Sequence, residues 1–134
     1  MKVLIDSEVL LDIALDRQPF SIHSEQAINE LLLAGIELHV TLVIIANVIY
    51  ILSKHCGSTI AKQFVFRVLG FCKMLPIKSS GILKSFEQNH NDLEDGIQIV
   101  AAEDGKMDLI LTRNLRNYKL SKLAFRTPEQ LLAS

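Results

Sequence analysis

Lys2-Val-Leu-Ile5 is an apolar run too short for a helix, rich in β-branched residues, and it stops abruptly at Asp6 and Ser7. Such a run reads as a buried strand. Ser7 is a natural N-cap and Glu8 suits the positive end of a helix dipole, so a helix is expected from Ser7 through Leu15. The pattern then repeats along the chain. Glu37 to Val40 alternates polar and apolar residues as a second strand, and Thr41 caps an apolar helix that reaches Lys54 and ends near Gly57. Strands that alternate with helices predict a parallel sheet covered on both faces. The expected fold class is therefore α/β, a three-layer sandwich with a central, mostly parallel sheet of about four to five strands flanked by helices.

The remaining elements follow from the same signals. Arg17-Gln-Pro-Phe20 breaks the first helix, and Ser21 or Ser24 opens the next, which Gly35 stops. Ser58 caps a helix running to about Leu69. Cys72 to Ile77 is a third strand that Pro76 confines to an edge or an end. Ser80 to Gln88 is a short helix, Asn89 to Asp92 a polar loop, and Leu93 to Glu103 a helix. Leu109 to Thr112 and Ala124 to Arg126 complete the strands, and Thr127-Pro-Glu-Gln130 caps a last helix.

With 134 residues and no linker, repeat or low-complexity stretch, residues 1–134 form one domain large enough to bury a core of ordinary size. A net charge of −1 excludes a general polyanion binder, so any nucleic-acid contact must come from a local patch. Cys56 and Cys72 lack metal-ligand spacing and read as reduced thiols. The apolar run after Met1 is too short for a signal segment, and Leu42 to Leu52 is too short to span a membrane. The expectation is a cytoplasmic protein without a membrane segment.

The chemistry lies in the acids. A carboxylate at the C-terminal end of a buried strand lies where open α/β sheets place their ligands, which singles out Asp6. A second acidic patch, Asp92-Leu-Glu-Asp95, precedes the helical run Gly96 to Ala102. If the fold brings these groups together, a carboxylate pair about 4 Å apart repels by roughly 1 kcal/mol in water and roughly 4 kcal/mol at an effective dielectric of 20. Such a cluster calls for a cation. With no Cys or His beside them, and with His23, His39, His55 and His90 scattered, the oxygen-only donors point to Mg2+ or Mn2+ rather than zinc. Each acid also has a plain structural reading: Asp6 as a strand-end cap, and Asp95 and Glu8 as helix-dipole partners. Asp12 and Asp16 read as solvated helix-face or turn residues, and Asp108 as structural.

Two polar features accompany the acids. Asn47 lies on an otherwise apolar helix, on one stripe with Tyr50 and Lys54. It either closes a structural hydrogen bond or faces a polar cleft, because an unpartnered buried amide costs roughly 1 to 3 kcal/mol. The stretch from Arg113 to Arg126 holds Arg113, Arg116, Lys119, Lys122 and Arg126 with no acid among them. It reads either as a phosphate-positioning surface, with Arg113 foremost and Arg116 and Lys119 beside it, or as a solvated face.

Val3-Leu-Ile-Asp-Ser-Glu-Val-Leu-Leu-Asp12 and Asp92-Leu-Glu-Asp-Gly-Ile-Gln-Ile-Val-Ala-Ala102, followed by Asp108-Leu-Ile-Leu-Thr-Arg-Asn114, together resemble the PIN domain family over essentially the whole chain. That family comprises small metal-dependent ribonucleases and includes the toxins of bacterial VapBC-type toxin–antitoxin modules. The resemblance implies that Asp6 and Asp95 are catalytic and hold a divalent ion, with Asp92, Glu94 or Glu8 as helpers and Ser7 orienting a metal-bound water. It places Asn47, Asn114 and Asn117 where the family usually has acids, and so implies a site with less charge than usual. It further implies cleavage of single-stranded RNA, a small antitoxin partner and a homodimer, for which Phe64, Phe66 and Leu69 supply apolar surface. A PIN-like RNA- or protein-binding module with a weakened or inactive metal site is the alternative. Mg2+-dependent phosphatase chemistry fits less well, because it wants a second Asp where Glu8 stands.

Overall fold

The computed structural model describes residues 1–134. Five strands, β1 (Lys2–Ile5), β2 (Glu37–Val40), β3 (Cys72–Met74), β4 (Leu109–Leu111) and β5 (Ala124–Arg126), form one sheet in the order β3-β2-β1-β4-β5. Every neighbouring pair is parallel, so the sheet is wholly rather than mostly parallel. The central β1 carries Val3, Leu4 and Ile5 with no solvent exposure, as a strand covered on both faces requires.

Seven helices cover the sheet: α1 (Ser7–Ala14), α2 (Phe20–Leu33), α3 (Leu42–Cys56), α4 (Ser58–Phe71), α5 (Ser79–Phe86), α6 (Leu93–Asp104) and α7 (Pro128–Ala133). The chain steps outward from β1 through β2 to β3, then crosses back to β4 and on to β5. Right-handed crossovers therefore place α1 to α4 on one face and α5 and α6 on the other. The packing agrees, with α1 to α4 joined by α7 as one group and α5, α6 and a one-turn 3-10 helix at Leu115–Tyr118 as another. The point where the strand order reverses lies at β1 and β4, and the exits of those two strands are the place for a ligand crevice. None of the helices is long and apolar enough to cross a membrane.

Local signals hold in most places. The Thr41 hydroxyl accepts from the Ile44 amide at 3.2 Å to start α3, and the Thr127 capping box starts α7. Four expectations need correction. The N-cap of α1 is Asp6, and Ser7 is the first residue inside the helix. Helix α2 begins at Phe20, and Ser21 and Ser24 are buried inside it, their hydroxyls turned to the carboxylates of Asp16 and Asp12. Gly57, not Ser58, stands at the start of α4; its φ of 87° lets one residue end α3 and open α4. The 3-10 turn was not anticipated. Cys56 and Cys72 are free thiols, exposed and buried respectively.

Candidate active site

Asp6 leaves β1 with its backbone N–H bonded to the Leu111 carbonyl of β4 at 2.9 Å, so the two strand exits are locked side by side. Its carboxylate is nearly inaccessible. One oxygen accepts from the Ser7 amide at 2.8 Å and caps α1, and the other accepts from the Thr112 hydroxyl at 2.8 Å. Burial, and then the charge of Asp95, push its pKa up to about 7, against the opposing pull of those two hydrogen bonds. The acid at residue 95 is thus near enough for its charge to act on the first acid.

Asp95 sits in the first turn of α6, where the Asp92 side chain caps the helix by accepting from the Asp95 amide at 3.0 Å. Three donors reach the Asp95 carboxylate. The Asn117 amide donates at 2.9 Å, the Tyr118 hydroxyl at 3.3 Å and the Gln98 amide at 3.3 Å. Burial still raises its pKa, and the charge of Asp92 adds to the effect.

Of the other residues singled out from sequence, some line this pair and some do not. The Asn47 amide donates to the Ser7 hydroxyl at 2.8 Å, so it closes a hydrogen bond and stands beside Asp6 at once. Asn114 contributes its backbone N–H to the Thr112 hydroxyl at 3.0 Å, which orients the group that bonds Asp6. Glu94 is exposed on α6, and Asp92 is engaged as a cap. Glu8 pairs with Arg17 at 2.8 Å and lies 3.5 Å from Arg113. Asp108 bonds the Lys2 amide at 2.7 Å, the structural role expected of it.

Two readings change. Asp12 is fully buried, not solvated: Arg113 grips both its oxygens at 2.6 and 2.7 Å and Ser24 donates to it at 3.0 Å. Arg113 in turn stacks on the Phe20 ring, 3.9 Å from its centroid. A guanidinium spent on a bidentate carboxylate and an aromatic face has little left for a phosphate. The physical reason is that burying Asp12 inside the helical layer leaves its charge in need of a fork-shaped partner. Arg113 thus ties the loop after β4 to α1. Arg116 and Lys119 remain exposed on or beside the 3-10 turn that carries Asn117.

Sequence reasoning missed Thr112, Gln98 and Tyr118. Thr112 had a usable signal, because a hydroxyl at one strand exit can meet a carboxylate at the neighbouring exit. Gln98 is one turn beyond Asp95 on α6, also a readable relation. Tyr118 is an aromatic in a polar, basic stretch, but nothing local says that it turns inward to be wholly buried.

The donor set is oxygen and amide throughout, with a buried carboxylate, Asp6, and a half-buried one, Asp95, whose charge opposes it. It suits a hard cation that needs only one or two protein carboxylates. No group of three His, Cys, Asp or Glu residues is placed to form a fuller cage.

A strand-exit Asp facing an Asp in the first turn of a returning helix, on a 3-2-1-4-5 parallel sheet, defines a class. The sequence profile of the PIN domain matches residues 2–116, and the chain belongs to the PIN domain family. Among its relatives is Ribonuclease VapC1 of Aquifex aeolicus, 30% identical over 122 residues that span 87% of this chain and 84% of that protein. The fold is shared with VapBC2 of Rickettsia felis, whose crystal structure is bound to a promoter DNA fragment, at a TM-score of 0.73 and 11% identity over 95% of this chain and 98% of that one. It is shared also with a toxin–antitoxin complex from Klebsiella pneumoniae, at a TM-score of 0.69 and 19% identity over 94% of this chain and 97% of that one.

Proposed function

We propose that this protein is a Mg2+- or Mn2+-dependent endoribonuclease that cleaves single-stranded RNA and acts as the toxin of a type II toxin–antitoxin module. The observation that carries this reading is buried Asp6 at the exit of β1 beside half-buried Asp95 in the first turn of α6; burial first, and the charge of Asp95 second, raise the pKa of Asp6 to about 7. Relationship to a ribonuclease of the VapC kind and a fold shared with toxin–antitoxin complexes support it.

In this reading Asp6 and Asp95 hold the ion, and Asp92 and Glu8 add negative potential from their capping and ion-paired positions. Bound there, a divalent ion supplies a water of lowered pKa and neutralises charge on the phosphodiester. Ser7, fixed by Asn47, presents its hydroxyl beside Asp6 to orient a water. Asn114 and Thr112 hold the Asp6 carboxylate in place, Asn117 does so for Asp95, and exposed Glu94 contributes long-range charge only. Arg116 and Lys119 engage RNA phosphates, whereas Arg113 acts structurally through Asp12. The partner is a small antitoxin, and exposed Phe66 and Leu69 on α4 are apolar surface for a homodimer.

Hydrolysis of a single-stranded RNA by the purified protein, abolished by EDTA and by Asp6→Asn, tests the proposal. A protein that binds Mn2+ and leaves RNA intact across several salt and metal conditions refutes it. The absence of a third acid at the site favours one alternative, a PIN-like module that binds RNA or a protein without cutting. Under that alternative Asn47→Glu or Asn114→Asp creates activity the wild type lacks.

A further inference from the structure

Tyr118 is wholly buried, and its hydroxyl donates to Asp95 at 3.3 Å, with the Asp6 charge close by. Its neighbour Asn117 donates to the other oxygen of the same Asp95 carboxylate, at 2.9 Å against Oδ2 while Tyr118 meets Oδ1. Two consecutive side chains on one turn thus bracket a single carboxylate, oxygen by oxygen. A carboxylate on its own rotates about its last bond; one held at both oxygens has its plane fixed. The 3-10 geometry makes this arrangement available, because it turns Asn117 and Tyr118 toward α6 while Arg116 stays in solvent.

We infer that Tyr118, with Asn117, is a positioning residue that sets the orientation of the Asp95 carboxylate toward a divalent ion held with Asp6. The inference rests on the reading of Asp6 and Asp95 as ligands, and it assigns Tyr118 a role that a phenylalanine of the same shape does not fill. The hydroxyl is the only difference between those two side chains, and its acceptor is one candidate ligand, Asp95, with the other, Asp6, close by. Packing in the core needs the ring alone. Removing a hydrogen-bond partner from a metal-binding side chain costs about 10- to 100-fold in metal affinity.

The test is Mn2+ binding to wild type, Tyr118→Phe and Asn117→Ala by titration calorimetry and by the EPR signal of free and bound Mn2+. Unfolding of each protein in EDTA and single-stranded RNA cleavage are measured alongside. The expected result is Mn2+ affinity weakened at least about 10-fold in Tyr118→Phe, with its EDTA melting temperature close to that of the wild type. Asn117→Ala weakens binding similarly through the other oxygen, and it decides the matter if the tyrosine variant does not fold. Tyr118→Phe binding Mn2+ as tightly as the wild type overturns the inference, and so does a wild type that binds no Mn2+. The two readings separate cleanly. A wild type and a Tyr118→Phe variant that cut RNA and bind Mn2+ equally well sink the positioning role and leave the ribonuclease standing. Wild-type Mn2+ binding that the variant weakens, with RNA left uncut throughout, does the reverse.

Discussion

Replacing Asp6 by Asn removes one charge from the pair and keeps the side-chain shape. In the metal-free fold the Asp6 pKa is about 7 against an ordinary value of 3.8, through burial first and Asp95 second, with Glu8 adding to it. Below the lower value both folded and unfolded states hold the proton, so the shift has no effect there. Between the two, the folded protein binds more protons than the unfolded chain, and stability falls as pH rises. From pH 5 to pH 8 the folded group loses its proton at a cost of at most roughly 3 kcal/mol, at about 1.4 kcal/mol per pH unit across the two units below 7. The variant has no titrating group at this position. Groups that the Asp6 charge does not reach cancel in the difference. Urea unfolding in EDTA should therefore show Asp6→Asn gaining on the wild type by about 1 to 3 kcal/mol between pH 5 and pH 8. Added Mn2+ should reverse the order at pH 8, since an ion at 100 times its Kd stabilises only the protein that binds it, by about 2.7 kcal/mol. A stability difference that stays flat from pH 5 to pH 8 refutes the reasoning.

Other outcomes follow from the same geometry. Arg113→Ala leaves the buried Asp12 carboxylate with only the Ser24 hydroxyl and Arg17 at 3.9 Å, and should destabilise the fold by about 3 kcal/mol in urea unfolding; a neutral result would show that Asp12 is not held as described. Arg116→Ala and Lys119→Ala should leave the unfolding midpoint unchanged, weaken RNA binding, and each lower the slope of log affinity against log salt by about one, as filter binding would show. Asn47→Asp places a third acid against Ser7 and should tighten Mn2+ binding by calorimetry, while lowering metal-free stability at pH 8.

Much of this architecture is readable from local pattern. The strands are short apolar runs, the helix starts at Ser7, Leu42 and Pro128 follow visible capping residues in Asp6, Thr41 and Thr127, and the alternation of the two forces a parallel sheet. Asp6 and Asp95 are legible for a related reason, since each sits where an element ends or begins and its backbone context gives it away. What the sequence hides is pairing across distance. Asp12 looks solvated because nothing near it in the chain reveals Arg113, 101 residues away, and Arg113 looks free for the same reason. Ser24 presents the same difficulty on a smaller scale: it has the composition of a cap, and its hydroxyl is instead turned inward to Asp12 across the α1–α2 packing. The turn at Leu115–Tyr118 has no strong helix signal, yet it delivers two of the three donors to Asp95. Tertiary demand for buried charges to be paired, not local propensity, settles these positions.

The central claim is that Asp6 and Asp95 together hold a divalent ion. Crystals soaked in Mn2+ and measured at the manganese absorption edge address it directly. The account predicts an anomalous peak between the Asp6 and Asp95 carboxylates, lost in Asp6→Asn; a fully soaked crystal with no peak there, or with manganese only elsewhere on the surface, contradicts it.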